Sequence, residues 1–69
     1  MVAVKIKSEY ITLGQFLKYV GIISNGCEAK FYLADNDVYV NDVLDVRRGK
    51  KLYPGDVVKT NNQIFKVTS

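Results

Sequence analysis

Apolar and polar positions alternate at the start of the chain, with Val2, Val4 and Ile6 set against Ala3, Lys5 and Lys7. A period of two is the pattern of a strand with one buried face, so a strand is predicted here. The period then lengthens. Leu13, Phe16, Leu17 and Val20 recur at helical spacing, leaving Gln15, Lys18 and Tyr19 off the stripe. Thr12, with Gln15 three residues later, fits a capping box at the start of that helix, and Gly21 fits its end. A second helix is predicted from Ser24 or Asn25 to about Ala34, burying Ala29, Tyr32 and Leu33, with Glu28 in the first turn where the helix dipole favours a carboxylate.

Beyond it, Asp35, Asn36 and Asp37 read as a turn. Val38-Tyr39-Val40-Asn41 alternates as a short strand, Asn41-Asp42 as a tight turn, and Leu44 and Val46 resume the alternation. Tyr53-Pro54-Gly55-Asp56 is a turn signal. The segments Val57–Thr60 and Gln63–Val67 flank Asn61-Asn62 as a closing hairpin. The order of strand, two helices and then three or four strands predicts a single α+β domain over residues 1–69, paired in antiparallel fashion. Leu13, Phe16, Leu17, Ala29, Leu33, Val38, Val40 and Val57 are its expected core.

Sixty-nine residues leave no room for a second core, and a chain this short buries only roughly 60% of its unfolded surface. A large enclosed active site is therefore not expected. The apolar runs are too short to span a bilayer or to form a signal-peptide core, so no membrane role is expected. Cys27 stands alone, which points to a reducing, cytoplasmic compartment, and its position suits a small helix-start residue. With one cysteine and no histidine, a zinc site, a Ser-His-Asp triad and a Cys-His dyad are all out of reach of one chain. Asp35 and Asp37 fall in a turn with no base or metal set beside them. Neither an enzyme nor a bound cofactor is expected.

The net charge of +3 is modest, but its distribution is uneven. Arg47, Arg48, Lys50 and Lys51 place four cations within five residues, at the end of the strand that carries Leu44 and Val46. The remainder of the chain holds six cations against seven carboxylates. All of the positive excess therefore sits in one short segment, which would attract a polyanion. The competing reading is a solvated strand end that protects a sheet edge.

Five segments in register resemble the S-four RNA-binding domain, the module named after ribosomal small-subunit protein four. They are Thr12-Leu13-Gly14-Gln15-Phe16-Leu17-Lys18 with Gly21-Ile22, then Glu28-Ala29-Lys30, then Val38-Tyr39-Val40 running into Asn41-Asp42, then Arg47-Arg48-Gly49-Lys50-Lys51-Leu52, and finally Pro54-Gly55-Asp56-Val57-Val58. They span residues 12–58, about two thirds of the chain. The basic run and the short length look most like the stand-alone bacterial subfamily typified by the YaaA and YbcJ proteins. The resemblance implies two packed helices laid against a small, curved, mainly antiparallel sheet. It also implies a non-catalytic module that binds structured RNA, ribosomal or tRNA-like, as on a ribosomal particle. One departure is visible: many members carry Arg or Lys just before the Glu-Ala pair, where this chain has Asn25-Gly26-Cys27.

Arg47 and Arg48 are then the leading phosphate contacts, because a guanidinium fork engages two oxygens at once, while Lys50 and Lys51 add point charge. Lys18 and Lys30 would extend the patch from the helices, unless they are simply solvated. Asn25 would sit at a helix start whose backbone N–H groups suit a phosphate. Phe31, with Tyr19 and Tyr39, falls off the apolar stripes and is placed either to stack on an unpaired base or to pack at the core's edge. Two other classes compete. A protein-interaction adaptor would use the basic loop to meet an acidic partner. A ubiquitin-like sulfur carrier needs a C-terminal Gly-Gly, whereas this chain reads Lys66-Val67-Thr68-Ser69, so no carrier is expected.

Overall fold

A computed structural model describes residues 1–69. The elements are β1 (Val2–Lys5), β2 (Ile11–Thr12), α1 (Leu13–Tyr19), α2 (Glu28–Asp35), β3 (Tyr39–Val40), β4 (Val43–Leu44), β5 (Lys51–Leu52), β6 (Val57–Thr60) and β7 (Gln63–Thr68). They form an α+β fold with a five-stranded sheet ordered β1-β7-β6-β3-β4 and a separate two-stranded sheet, β2-β5. Two turns set the register of the larger sheet. Asn41-Asp42 and Asn61-Asn62 both hold two consecutive residues at positive φ, the backbone of a two-residue hairpin, which Asn and Asp tolerate.

The pairing is mainly antiparallel, as expected, but the larger sheet is mixed: one pair is parallel. β1 runs parallel to β7, with Val2 opposite Phe65 and Val4 opposite Val67. The other pairings, β2-β5, β3-β4, β3-β6 and β6-β7, are antiparallel. Hairpins announce themselves through their turns, but a parallel pair joins strands distant in sequence and leaves no local mark.

Fourteen buried residues make one hydrophobic cluster, drawn from both helices and both sheets. Leu13, Phe16 and Leu17 are fully enclosed, as their helical spacing predicts. Phe16 meets Phe65 of β7 edge-on at 5.4 Å between ring centres, which ties α1 to the sheet. Gly21, at φ +83°, ends α1 as predicted. On α2, Ala29 and Leu33 are buried and Tyr32 is half-buried, with its hydroxyl 2.8 Å from that of Thr60. Of the expected core, Val57 is only half-buried; Val58 takes the inward place because the hairpin register sets it between Val40 and Phe65.

Two further boundaries are corrected. The second helix begins at Glu28, not at Ser24 or Asn25, because Asn25 folds its own side chain onto the Cys27 N–H at 3.0 Å and holds residues 25–28 in a turn. The strand expected through Leu44 and Val46 stops at Leu44, and its phase is reversed. With Tyr39 opposite Leu44 and Val40 opposite Val43, residue 45 falls opposite Val38, and the Asp45 N–H donates to the Val38 carbonyl at 2.9 Å. Asp45 is therefore buried, while Leu44 and Val46 are exposed. No helix is long and apolar enough to cross a membrane.

Candidate nucleic-acid interface

Arg47, Arg48 and Lys50 lie on the connection from β4 to β5 and Lys51 begins β5; that connection is clamped to the start of α1. The first N–H groups of a helix have no partner within it. Here the Arg48 carbonyl accepts from the Gly14 N–H and the Lys50 carbonyl from the Leu13 N–H, both at 2.8 Å. The capping box supplies the rest. Thr12 Oγ1 accepts from the Gln15 N–H at 3.3 Å, and Gln15 Oε1 accepts from the Thr12 N–H at 3.1 Å. The loop's main chain thus faces the helix, with Arg47 and Arg48 exposed and Lys50 half-buried.

Gly14 makes this approach possible. A Cβ at that position would stand 3.3 Å from the Arg48 carbonyl oxygen and 3.4 Å from both the Arg48 and the Ala29 Cβ. The basic loop, α1 and α2 converge on that point. Thr12, Gly14, Gln15, Gly26, Ala29, Arg48 and Gly49 line a shallow depression there. Gln15 also borders a second depression, with Ser8, Ile11, Lys18 and Tyr19. Lys18 and Arg48 are therefore linked through the outer surface of α1.

The four cations are not equivalent. Arg47 forms a two-point pair with Asp45, Nε to Oδ1 at 3.1 Å and Nη2 to Oδ2 at 2.9 Å, and its N–H also donates to Oδ1 at 2.9 Å. One edge of the guanidinium fork is engaged within the protein, although the side chain remains 70% exposed. The Arg47 hydrogen bond holds the Asp45 carboxyl below the usual carboxylate range, against the opposing effect of burial; main-chain N–H donation and the charges of Arg47 and Lys50 add to the lowering. Asp45 in turn raises the Arg47 guanidinium above its ordinary value. Arg48, Lys50 and Lys51 form no salt bridge; the one other ion pair in the molecule joins Lys59 to Asp42.

Lys51 lies on β5, with its ammonium 4.9 Å from the centre of the Tyr10 ring. Lys30 follows Ala29 on α2 and is exposed. Phe31, 67% exposed, is in no aromatic pair. Tyr19 is also exposed, but its hydroxyl donates to the Lys5 carbonyl at 2.9 Å, which fixes it to β1. Tyr39 lies on β3 of the larger sheet, opposite Leu44 of β4. At the start of α2, the Cys27, Glu28 and Ala29 N–H groups already donate to Asn25 Oδ1 and to the Asn25 and Gly26 carbonyls. Asn25 therefore builds the turn, and the donors it was expected to present to a phosphate are engaged.

Three features escaped sequence reasoning. Asp45 was hidden by the assumed strand phase, although a carboxylate two residues before an arginine was the available signal. Gly14 lies off the apolar stripe of α1, and nothing local in the sequence marks the close approach of Arg48 to it. Tyr10 and Tyr53, whose rings lie 5.8 Å apart, are 43 positions apart in sequence, and only the β2-β5 pairing brings them together.

Two comparisons bear on this arrangement. Residues 4–68 match the protein family described as the S4 domain. A protein of Bacillus subtilis (strain 168), named "Probable ribosome maturation protein RlbA", is 54% identical over 56 residues, covering 81% of this chain and 79% of the relative.

Proposed function

This chain belongs to the S4 domain family, and from that premise we propose that it is a non-catalytic module binding structured RNA on a ribosomal particle in the cytoplasm. The observation that carries the reading is the clamped basic loop. Its carbonyls are spent on the first turn of α1, so Arg48, Lys50 and Lys51 project from a rigid base with no carboxylate partner. Fixed cations lose less conformational freedom on meeting a phosphate than cations on a mobile tail. Arg47 contributes its free guanidinium edge, and Lys18 extends the surface along α1. The relative's name, a ribosome maturation protein, supports ribosomal RNA as the polyanion.

No long basic helix is available to enter a DNA major groove, and phosphate contacts position a protein without reading bases. Folded RNA should therefore be preferred over B-form DNA of equal length, through backbone spacing and 2′-hydroxyls, with little discrimination among RNAs of one shape. A competition assay at about 150 mM salt, where the screening length is about 8 Å, tests this. Displacement by a folded hairpin RNA well below the concentration needed for duplex DNA is expected. Equal displacement would leave a generic polyanion binder, and displacement by neither would favour an adaptor for an acidic protein.

A further inference from the structure

Beside the basic loop, the small β2-β5 sheet carries two tyrosines that no element of the core absorbs. Tyr10 is 36% and Tyr53 44% exposed, and their rings meet at 5.8 Å between centres and 47° between planes. Exposed rings on mobile segments would be unremarkable, but both of these are anchored. Ile11 pairs with Leu52 and Thr12 with Lys51, so Tyr10, just before Ile11, and Tyr53, just after Leu52, lie across from each other at the same end of a hydrogen-bonded ladder. The Tyr10 carbonyl accepts from Ser8 Oγ at 2.7 Å. The Tyr53 N–H donates to Asp56 Oδ2 at 2.8 Å, inside a turn that Gly55 closes at φ +102°. Asp56 Oδ1 meanwhile accepts from Asn41 Nδ2 at 3.1 Å, so both oxygens of that carboxylate are held.

Lys51 connects this pair to the phosphate-seeking surface. Its ammonium sits over the Tyr10 ring while its neighbour Lys50 is joined through its carbonyl to α1. An aromatic ring with a cation on one face and solvent beside it presents a flat, polarisable surface next to positive charge. A nucleobase matches both properties: its face stacks on an aromatic ring whatever its identity, and its own phosphate lies within reach of a nearby cation. An acidic peptide would use the charge and leave the rings uncovered.

We propose that Tyr10 and Tyr53, with Lys51 between the rings and the basic loop, form a stacking shelf for a single unpaired base of the RNA whose phosphates the loop holds. This rests on the RNA-binding reading and sharpens it: the preferred ligand is a folded RNA with a bulged or terminal unpaired nucleotide, not an uninterrupted duplex. Neither tyrosine belongs to the core cluster or to the partly buried residues packed against it, so the shelf can be altered apart from the fold.

The test uses the full chain and two hairpin RNAs of equal length, one fully paired and one with a bulged 2-aminopurine, whose fluorescence falls when it stacks. The bulged hairpin should bind roughly tenfold more tightly, matching about 1–3 kcal/mol per stacked base at its lower end, and its fluorescence should be quenched on binding. Tyr53→Leu, checked for native circular dichroism, should abolish the quenching and bring the two hairpins to equal affinity. Tyr53→Phe, which keeps the ring, should retain both effects and guards against a loss caused only by disturbed folding. Equal binding of both hairpins to the unaltered protein without quenching would overturn the shelf and leave the phosphate-binding loop standing. Failure of both hairpins to bind would overturn the RNA reading as well.

Discussion

At the scale of single residues, the pair between Asp45 and Arg47 decides how much charge the basic loop presents. Asp45 is buried because the β3-β4 register turns it inward, and Arg47 meets it with two nitrogens. A carboxylate whose pKa is lower in the folded state than in the unfolded chain stabilises the fold. That contribution is fully present above the ordinary value of 3.8 and is lost as pH falls through the lower folded value. The loop should therefore stay latched through neutral and mildly acidic conditions. Following the Arg47 Nε–H resonance in an acid titration should give a midpoint below 3.8. A midpoint at or above that value would mean that the pair does not hold in solution. The sequence placed Arg47 in the cluster but could not show that part of its fork was already occupied, because that depends on which way residue 45 faces.

At the scale of elements, local signals and non-local ones fared differently. The first helix was legible from its capping box, its apolar stripe and Gly21, since each acts within a few residues of chain. Both two-residue turns were legible for the same reason. The parallel β1-β7 contact and the meeting of Tyr10 with Tyr53 depend on pairing between distant segments, which leaves no local mark. The inward face of Asp45 and the exchange of Val57 for Val58 depend on the register within a hairpin, which an apolar alternation does not fix where both faces carry valine or leucine. The start of α2 was misread because Asn25, a good capping residue by type, spends its side chain on a turn instead. Leu17 tests the first helix. It is fully buried where α1 faces the core, so Leu17→Ala should cost about 2–5 kcal/mol and lower the thermal midpoint sharply. Small domains have only about 5–15 kcal/mol in hand at most, so this variant should be partly unfolded well below the wild-type midpoint. A midpoint that barely moves would show that α1 does not carry the core.

At the scale of the whole molecule, the fold works as a mount. A core of fourteen apolar residues fixes α1, and α1 fixes the loop by donating its first N–H groups to two of the loop's carbonyls. Gly14 allows the loop to come this close, and the packing against Ala29 extends the contact to α2. Positive charge, which carboxylates outnumber by seven to six elsewhere in the chain, is thereby concentrated on one rigid edge. The salt dependence of RNA binding measures this directly. If three or four cations meet phosphates, log K should fall against log salt with a slope of about −2 to −4, the value depending on RNA geometry. In the double variant Arg48→Ala and Lys50→Ala the main-chain clamp on α1 and the Asp45–Arg47 pair remain. It should bind more weakly and lose about 1.4 to 1.8 from the steepness of that slope, with an unchanged circular dichroism spectrum. The same slope and the same affinity in the folded variant would contradict the assignment of the RNA surface to this loop.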